Sequence, residues 1–499
     1  MSYFLGIDIG TTHTKAVIIT KEGKLLFEAK EGYELLRPQP GYEEQDVHVI
    51  MNAVNTVINK AYAALDNQNT IVAASFSAAM HSILPVDADG NPLYNAITWA
   101  DTRSKQEANE ISCRLDADTL YANTRIPIHP MSPLCKIAWF RNNRPDMFAE
   151  TVKFVSIKEY VFHQLFGKYI VDYSIAAATG LFNLRTKNWD PLALQIAGID
   201  ADRLSLPVST MHAETGAIAF AGNRYPISFI AGASDGCLAN LGSGAVSHGD
   251  TALTIGTSGA VRMTVNESKI TKNNERLFIY PLADDIVVSG GAINNGGIVL
   301  KWLAELFEVA DDPSRTSYEA VLAMAEQAEP GADSLLFLPY LLGERAPVWD
   351  ADAKGVFVGL TMKHKKQQII RSAIEGICFT LHQLINKLES AYGPVREINV
   401  SGGFVRSPFW VQLIADITGK NLKATELADA SAMGAAYLAM YANGCLKQLA
   451  DAKQFIPVSK VFEPVSSNHK VYAELFRLFE SLYPKLKDDF AALSRLQKT

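Results

Sequence analysis

One arrangement occurs twice in this chain. "YFLGIDIGTTHTKAVIIT" (3–20) reads as strand, Gly-Thr-Thr turn, strand, and "GDTALTIGTSGAVRMTV" (249–265) reads as strand, Gly-Thr-Ser-Gly turn, strand. A chain of 499 residues is long for a single core. Two halves that each open on such a hairpin predict a duplicated α/β fold with a central cleft between the halves. The Gly- and Ser-rich "NLGSGAVSHGD" (240–250) marks the boundary, giving domains over 1–244 and 245–499.

The elements around the two hairpins fit that frame. "LLFEAK" (25–30) supplies a third strand to the opening meander, 48–65 carries apolar residues at helical spacing, and "TIVAASFSA" (70–78) reads as a buried strand. Residues 131–166 read as largely helical, with Gly167 as the stop. "REINVSGGFVRSPFWVQLIADITG" (396–419) reads strand, Gly-Gly turn, helix. Near the C-terminus Leu475, Phe476, Leu478, Phe479, Leu482, Leu486, Phe490 and Leu493 fall on one helical face, interrupted by Pro484, and predict core or interface packing.

Bulk properties narrow the function. The net charge is −7 and no basic tract is interleaved with aromatics, so nucleic acid is not an expected partner. Five scattered cysteines without a C-x-x-C pair fit a reducing, cytoplasmic setting rather than a disulfide or zinc framework. The N-terminus has no basic n-region, and the longest apolar stretch, 71–86, is broken by His81, so neither a signal peptide nor a membrane span is expected.

The two turns carry phosphate chemistry. Successive backbone N–H groups at Gly10-Thr11-Thr12, with two hydroxyls and the point charge of Lys15, suit phosphate oxygens, and Asp8 suits Mg²⁺ held through water. A tight hairpin with a buried acid is the simpler alternative, and the echo at Gly256-Thr257 argues against it. The glycines of "SGGAINNGG" (289–297) and "SGGF" (401–404) would let a flat base and ribose approach the backbone. Asp235, in "GASDG", follows an apolar strand. It is a candidate base or, alternatively, the N-cap of the following helix. In "AAMHSILPVDADGNPLYNAITWADTRS" (78–104), Met80, His81, Trp99, Asp101 and Arg103 form a candidate polyol site. Their plainer readings are a histidine bonded to backbone, a core tryptophan and a surface Asp101–Arg103 ion pair.

The set "DIGTTHTK", "TIGTSG", "SGGF", "MSPLCKIAW" and "GERAP" resembles the FGGY carbohydrate kinases, a branch of the actin-like, ribonuclease-H-like ATPase fold, from residue 4 to about 445. The resemblance implies ATP and Mg²⁺ as cofactors and a sugar or sugar acid as substrate, with a homodimer as a further possibility. It implies that Asp235 is the catalytic base and also faces the metal with Asp8. Gly10, Thr11, Thr12, Lys15, Gly256, Thr257, Gly297, Gly402, Gly403 and Ser407 would then line the nucleotide. Met80, His81, Trp99, Asp101, Arg103, Met131 and Gly236 would line the acceptor.

Glycerol kinases of the family carry Arg-Glu where this chain has Met80-His81, and xylulokinases follow the base with Asn where this chain has Gly236. The tracts "ITWADTRS", "IPIHPMSPL" and "GASDGCLANLG" look most like the gluconate kinase subgroup, which implies phosphorylation of D-gluconate to 6-phospho-D-gluconate. Xylulokinase is the alternative, and a non-catalytic ATP-binding scaffold of the same fold is the alternative from another class. A sugar acid calls for a cation, for which Arg125, His129, Lys136 and Arg103 are the candidates. His13 and Cys135 stand where the family usually has Ser and Pro.

Overall fold

Alternating and continuous apolar runs at the N-terminus become a sheet covered on both faces. The computed structural model describes residues 2–65, 70–220, 223–270, 275–311, 316–425 and 429–496. Strands β1 (Ser2–Ile9), β2 (His13–Thr20) and β3 (Leu25–Gly32) form the expected meander, followed by helix α1 (Val47–Ala63) and strand β4 (Thr70–Ala78). With β5 (Ala213–Phe220) and β6 (Asn223–Ser234) they make a six-stranded sheet of order β5-β6-β4-β1-β2-β3. Strands β1, β4 and β6 are parallel, and Asp8 pairs with Ser77, which pairs with Ala233. Their C-terminal ends therefore share one edge, the usual place for a ligand in an α/β sheet.

One face of this sheet packs Leu5, Ile7 and Phe76 against Val54 and Val57 of α1 and against Val161 and Phe162, all buried. Each such side chain contributes about 1.5–3 kcal/mol relative to exposure. The other face is covered by the helix Ala430–Ala442 at van der Waals limits. A Cβ on Gly6 would lie 2.0 Å from the Ala432 carbonyl oxygen. Helix α2 (Asp235–Gly242) meets the same helix just as closely: a Cβ on Gly242 would lie 1.8 Å from Ala430 O, and one on Gly434 1.9 Å from Leu238 O. Only glycine lets these backbones approach.

The expected helical tract 131–166 resolves into helices Pro133–Asn143, Pro145–Glu150 and Ile157–Phe166. A short strand, Lys153–Val155, interrupts them because it pairs with Leu84–Val86.

The second hairpin repeats the topology. β7 (Asp250–Ile255) pairs antiparallel with β8 (Gly259–Asn266) and parallel with β9 (Glu397–Ser401). β9 is parallel to β10 (Leu422–Thr425), which pairs antiparallel with β11 (Val458–Phe462). The order β11-β10-β9-β7-β8 matches β5-β6-β4-β1-β2 strand for strand and direction for direction.

The C-terminal helix runs Ser466–Leu496 with Pro484 inside it. It buries Leu475, Phe476, Phe479 and Phe490, whereas Leu478 and Leu493 are exposed, so the apolar stripe is narrower than its sequence suggests. Among the described residues no helix is long and apolar enough to cross a membrane.

Contacts divide the chain into two compact units, Met1–Val246, Thr264–Ser289 and Ala428–Ile456 in one, and Ser247–Met263, Gly290–Leu427 and Pro457–Thr499 in the other. The division is not a single cut at 244/245. Tyr121 donates to Leu277 O, and the helix Ala430–Ala442 lies on β1, which ties two later segments to the first unit.

Candidate active site

Asp8, next to last in β1, is almost buried, at 7% exposure, and its Oδ1 accepts the Ser77 hydroxyl at 2.5 Å. Burial first, and then the Asp429 and Asp235 carboxylates, push its pKa up to about 7 against the Ser77 hydroxyl and Lys15. Asp429 caps the helix Ala430–Ala442, accepting from Ala432 N at 2.9 Å, and pairs with the Lys15 ammonium. Mutually destabilising carboxylates of this kind fit a divalent cation. Among the described residues no three metal-ligating side chains could hold an ion by themselves, so a Mg²⁺ here would keep water in its shell.

The turn after Asp8 is closed by the Gly10 N–H donating to His13 O at 3.0 Å, with the Tyr33 hydroxyl donating to Gly10 O at 2.6 Å. Thr12 at its tip is exposed. Thr11 accepts the Trp99 indole N–H on Oγ1 at 3.0 Å and the Gln45 amide on its carbonyl at 2.7 Å. Trp99 is therefore tied to the phosphate-type turn rather than lost in the core.

At the end of β6 the cap is Ser234, whose Oγ accepts from Cys237 N, and Asp235 is the first residue inside the helix. The alternative reading of Asp235 as an N-cap is thus corrected. A chain of buried groups backs this corner. Lys158 pairs with Asp172 at 2.8 Å and donates to Ala233 O at 3.2 Å. Asp172 caps the helix Tyr173–Ala178, and Ser174 Oγ in that helix bonds Ser234 at Oγ and N. Gly236 N–H donates back to Asp235 Oδ1 at 2.7 Å.

His81 follows β4 in a left-handed backbone conformation, φ 65°, rare for a side chain of this size. Its Nδ1 lies 2.7 Å from the Ala178 carbonyl. A carbonyl only accepts, so Nδ1 carries a proton, and Nε2 lies 3.5 Å from the Tyr280 hydroxyl. Met80 is half-buried beside it and Met131 is buried.

Asp101 and Arg103 are not a surface pair. Both side chains are 0% exposed; Arg103 bonds Asp101 at 2.8–3.0 Å and Glu44 at 2.6 Å, and its guanidinium lies 3.7 Å over the Tyr42 ring. Asp101 also accepts from Glu43 N at 2.7 Å. Lys136 is also fully buried, donating to His81 O and Thr98 O at 2.7 Å each.

In the second unit, Gly256, Thr257, Gly297, Ile298, Leu300, Lys301, Ala304, Ser317 and Tyr318 line a pocket of about 420 Å³, a size that suits a nucleoside. Its floor is tight. A Cβ on Gly297 would lie 2.6 Å from Gly256 O. Gly402, at φ 103°, and Gly403 follow β9 beside Ile255, while Ser407 caps the helix Pro408–Thr418 and is not among the lining residues.

"GERAP" builds the turn that leads to Gly297. Glu344 accepts from Asn294 N at 2.5 Å, Arg345 N at 2.9 Å and Asn295 Nδ2 at 3.0 Å, and Arg345 Nε donates to Asn294 Oδ1 at 2.7 Å. Burial pushes Glu344 up to about 7. A carboxyl raised in the folded state gives stability that is present below the ordinary carboxylate range and is lost as pH rises toward 7. Melting temperatures between pH 4.5 and 7 should therefore fall more steeply for the wild type than for Glu344→Gln, by the equivalent of about 2–3 kcal/mol over the window.

Comparison with known proteins agrees with this geometry. Residues 3–242 match the N-terminal domain, and residues 251–443 the C-terminal domain, of the FGGY family of carbohydrate kinases. The chain belongs to the FGGY carbohydrate kinases. It is 40% identical over 509 aligned residues to a gluconokinase of Bacillus licheniformis, covering 100% of this chain and 99% of the relative. Two structures from Lactobacillus acidophilus superpose with TM-scores of 0.91 at 33% identity: a gluconate kinase covered over 99% of each chain, and a ligand-bound xylulose kinase covered over 99% of this chain and 100% of its own. The FGGY chain is a two-domain, actin-like and ribonuclease-H-like α/β protein.

Around these expected residues the FGGY fold adds four that sequence reasoning did not single out. Asp429, Lys158 and Tyr280 carry no local motif. Glu344 sits in a quoted motif, but its role depends on Asn294 and Asn295, far from it in sequence.

Proposed function

We propose that the chain transfers the γ-phosphoryl group of ATP to the terminal hydroxyl of D-gluconate, yielding ADP and 6-phospho-D-gluconate. The observation that carries the substrate is the 40% identity to a gluconokinase across the whole chain. In this reading Asp235 takes the proton of the attacking hydroxyl, and Thr11, Thr12 and Lys15 meet phosphate oxygens. The pocket at Gly256, Thr257 and Gly297 takes the nucleoside, with Gly402 and Gly403 beside it. Mg²⁺, held by Asp8 and Asp235 through water, would neutralise phosphate charge. Phosphoryl transfer asks the protein chiefly for such positioning and neutralisation.

The His81 Nε2 edge meets an acceptor hydroxyl, and Trp99 offers its indole face to the carbon chain of the acyclic acceptor. Arg103 and Lys136 donate inside the fold, which leaves Arg125 and His129 as the candidates for the acceptor carboxylate.

The equal likeness to a xylulose kinase structure keeps D-xylulose as the second reading. Coupled kinase assays with D-gluconate, D-xylulose, glycerol and L-ribulose decide. The expected result is a kcat/KM for gluconate at least about tenfold above the others; equal or greater efficiency with xylulose overturns the assignment.

A further inference from the structure

Lys136 is an amine shut away from solvent. Its side chain is 0% exposed, in the helix Pro133–Asn143, and its Nζ spans two backbone carbonyls at 2.7 Å each. Those carbonyls belong to two separate segments. His81 O belongs to the residue whose ring faces Tyr280, and whose φ of 65° puts it in a left-handed turn three residues after β4. Thr98 O lies one residue before Trp99, whose indole N–H reaches Thr11 in the phosphate-type turn.

We propose that Lys136 is a positioning residue for the acceptor site: by clamping the His81 and Thr98 carbonyls it fixes the two backbone segments that carry the His81 ring and the Trp99 indole, without touching the acceptor. The proposal rests on the reading above that the acceptor sits at His81 and Trp99.

Three observations support the clamp. A left-handed residue cannot direct its carbonyl into a regular ladder, and a buried carbonyl needs a donor; Lys136 supplies it. The demand for donors is two, which a neutral amine meets with two N–H bonds. Burial draws the Lys136 ammonium down to about 7, with Asp101 opposing the change and Arg103 adding to it. Finally, a fully buried Nζ between two carbonyls is not placed to bind a carboxylate, which separates this role from that of a substrate ligand.

The test is steady-state kinetics of Lys136→Met with D-gluconate, D-xylulose and ATP each varied. The expected result is a KM for each acceptor raised tenfold or more, by the same factor for acid and neutral sugar within about threefold, with KM for ATP within about twofold of wild type. A loss confined to the acid makes Lys136 a carboxylate ligand and overturns the proposal. So does a fall in kcat with unchanged acceptor KM, which is what general loosening would give.

If Lys136→Met does not yield folded protein, Lys136→Gln is measured instead. Its amide N–H donors sit one atom closer to the backbone and reach at most one carbonyl. A smaller rise in KM for both acceptors supports the clamp, and wild-type acceptor KM values overturn it. A wild-type enzyme that prefers xylulose overturns the gluconate assignment and leaves the comparison of variants readable on either sugar.

Discussion

Asp235→Asn is expected to lower turnover by about 10²–10⁴-fold, the range for removing a general base, while KM for ATP stays within a few fold. The geometry makes the experiment clean. Ser234, not Asp235, caps helix α2, and Lys158, Asp172 and Ser174 hold the end of β6 from behind. Replacing one carboxylate oxygen by an amide therefore leaves the corner in place, and the bond from Gly236 N can still be accepted. The melting temperature should move by no more than a few degrees. A near-normal rate would remove Asp235 from the base role. A large loss accompanied by unfolding would instead return it to the structural reading.

Arg103→Met is expected to cost about 3–5 kcal/mol of unfolding free energy, the usual penalty when one partner of a buried ion pair is removed. Glu44 and Asp101 would be left as neighbouring carboxylates with 3% and 0% exposed side chains. Glu44 keeps the Tyr94 hydroxyl and the Asn95 amide, at 2.9 Å each, and Asp101 keeps two backbone N–H groups; none of these carries a positive charge. The lost stacking on Tyr42 adds to the effect. Equilibrium denaturation checks it. A loss below about 1 kcal/mol is what a solvent-exposed pair is worth, and that outcome would contradict the buried network.

Much of the fold was legible because its signals are local. β4 spans the predicted 70–78, α1 lies within one or two residues of 48–65, and the opening meander needs only period-two apolarity and two turns. The topological duplication was readable for the same reason: each half announces itself with a Gly-Thr turn between two short strands. The C-terminal stripe was less legible. Helical spacing gives a face, but how wide a band is covered depends on what packs there, and Leu478 and Leu493 stay in solvent.

The site divides in the same way. Asp8, Gly10, Thr11, Lys15, Asp235, Gly256 and Thr257 stand at strand ends and turns, where residue type and local geometry already imply chemistry, so the sequence by itself determined that a phosphate-handling duplicated α/β protein would form. Only the tertiary structure decided how those residues are charged, aimed and held. Asp429 meets Lys15 across 414 positions because the helix Ala430–Ala442 lies directly on Gly6. Asp101 and Arg103 turn from a plausible surface pair into a buried one because Glu44 and Tyr42 close over them. Lys136 turns from a candidate substrate ligand into a clamp on two loops. Burial and non-local partners set the charge and aim of a polar side chain, and neither is a property of the residues next to it in the chain.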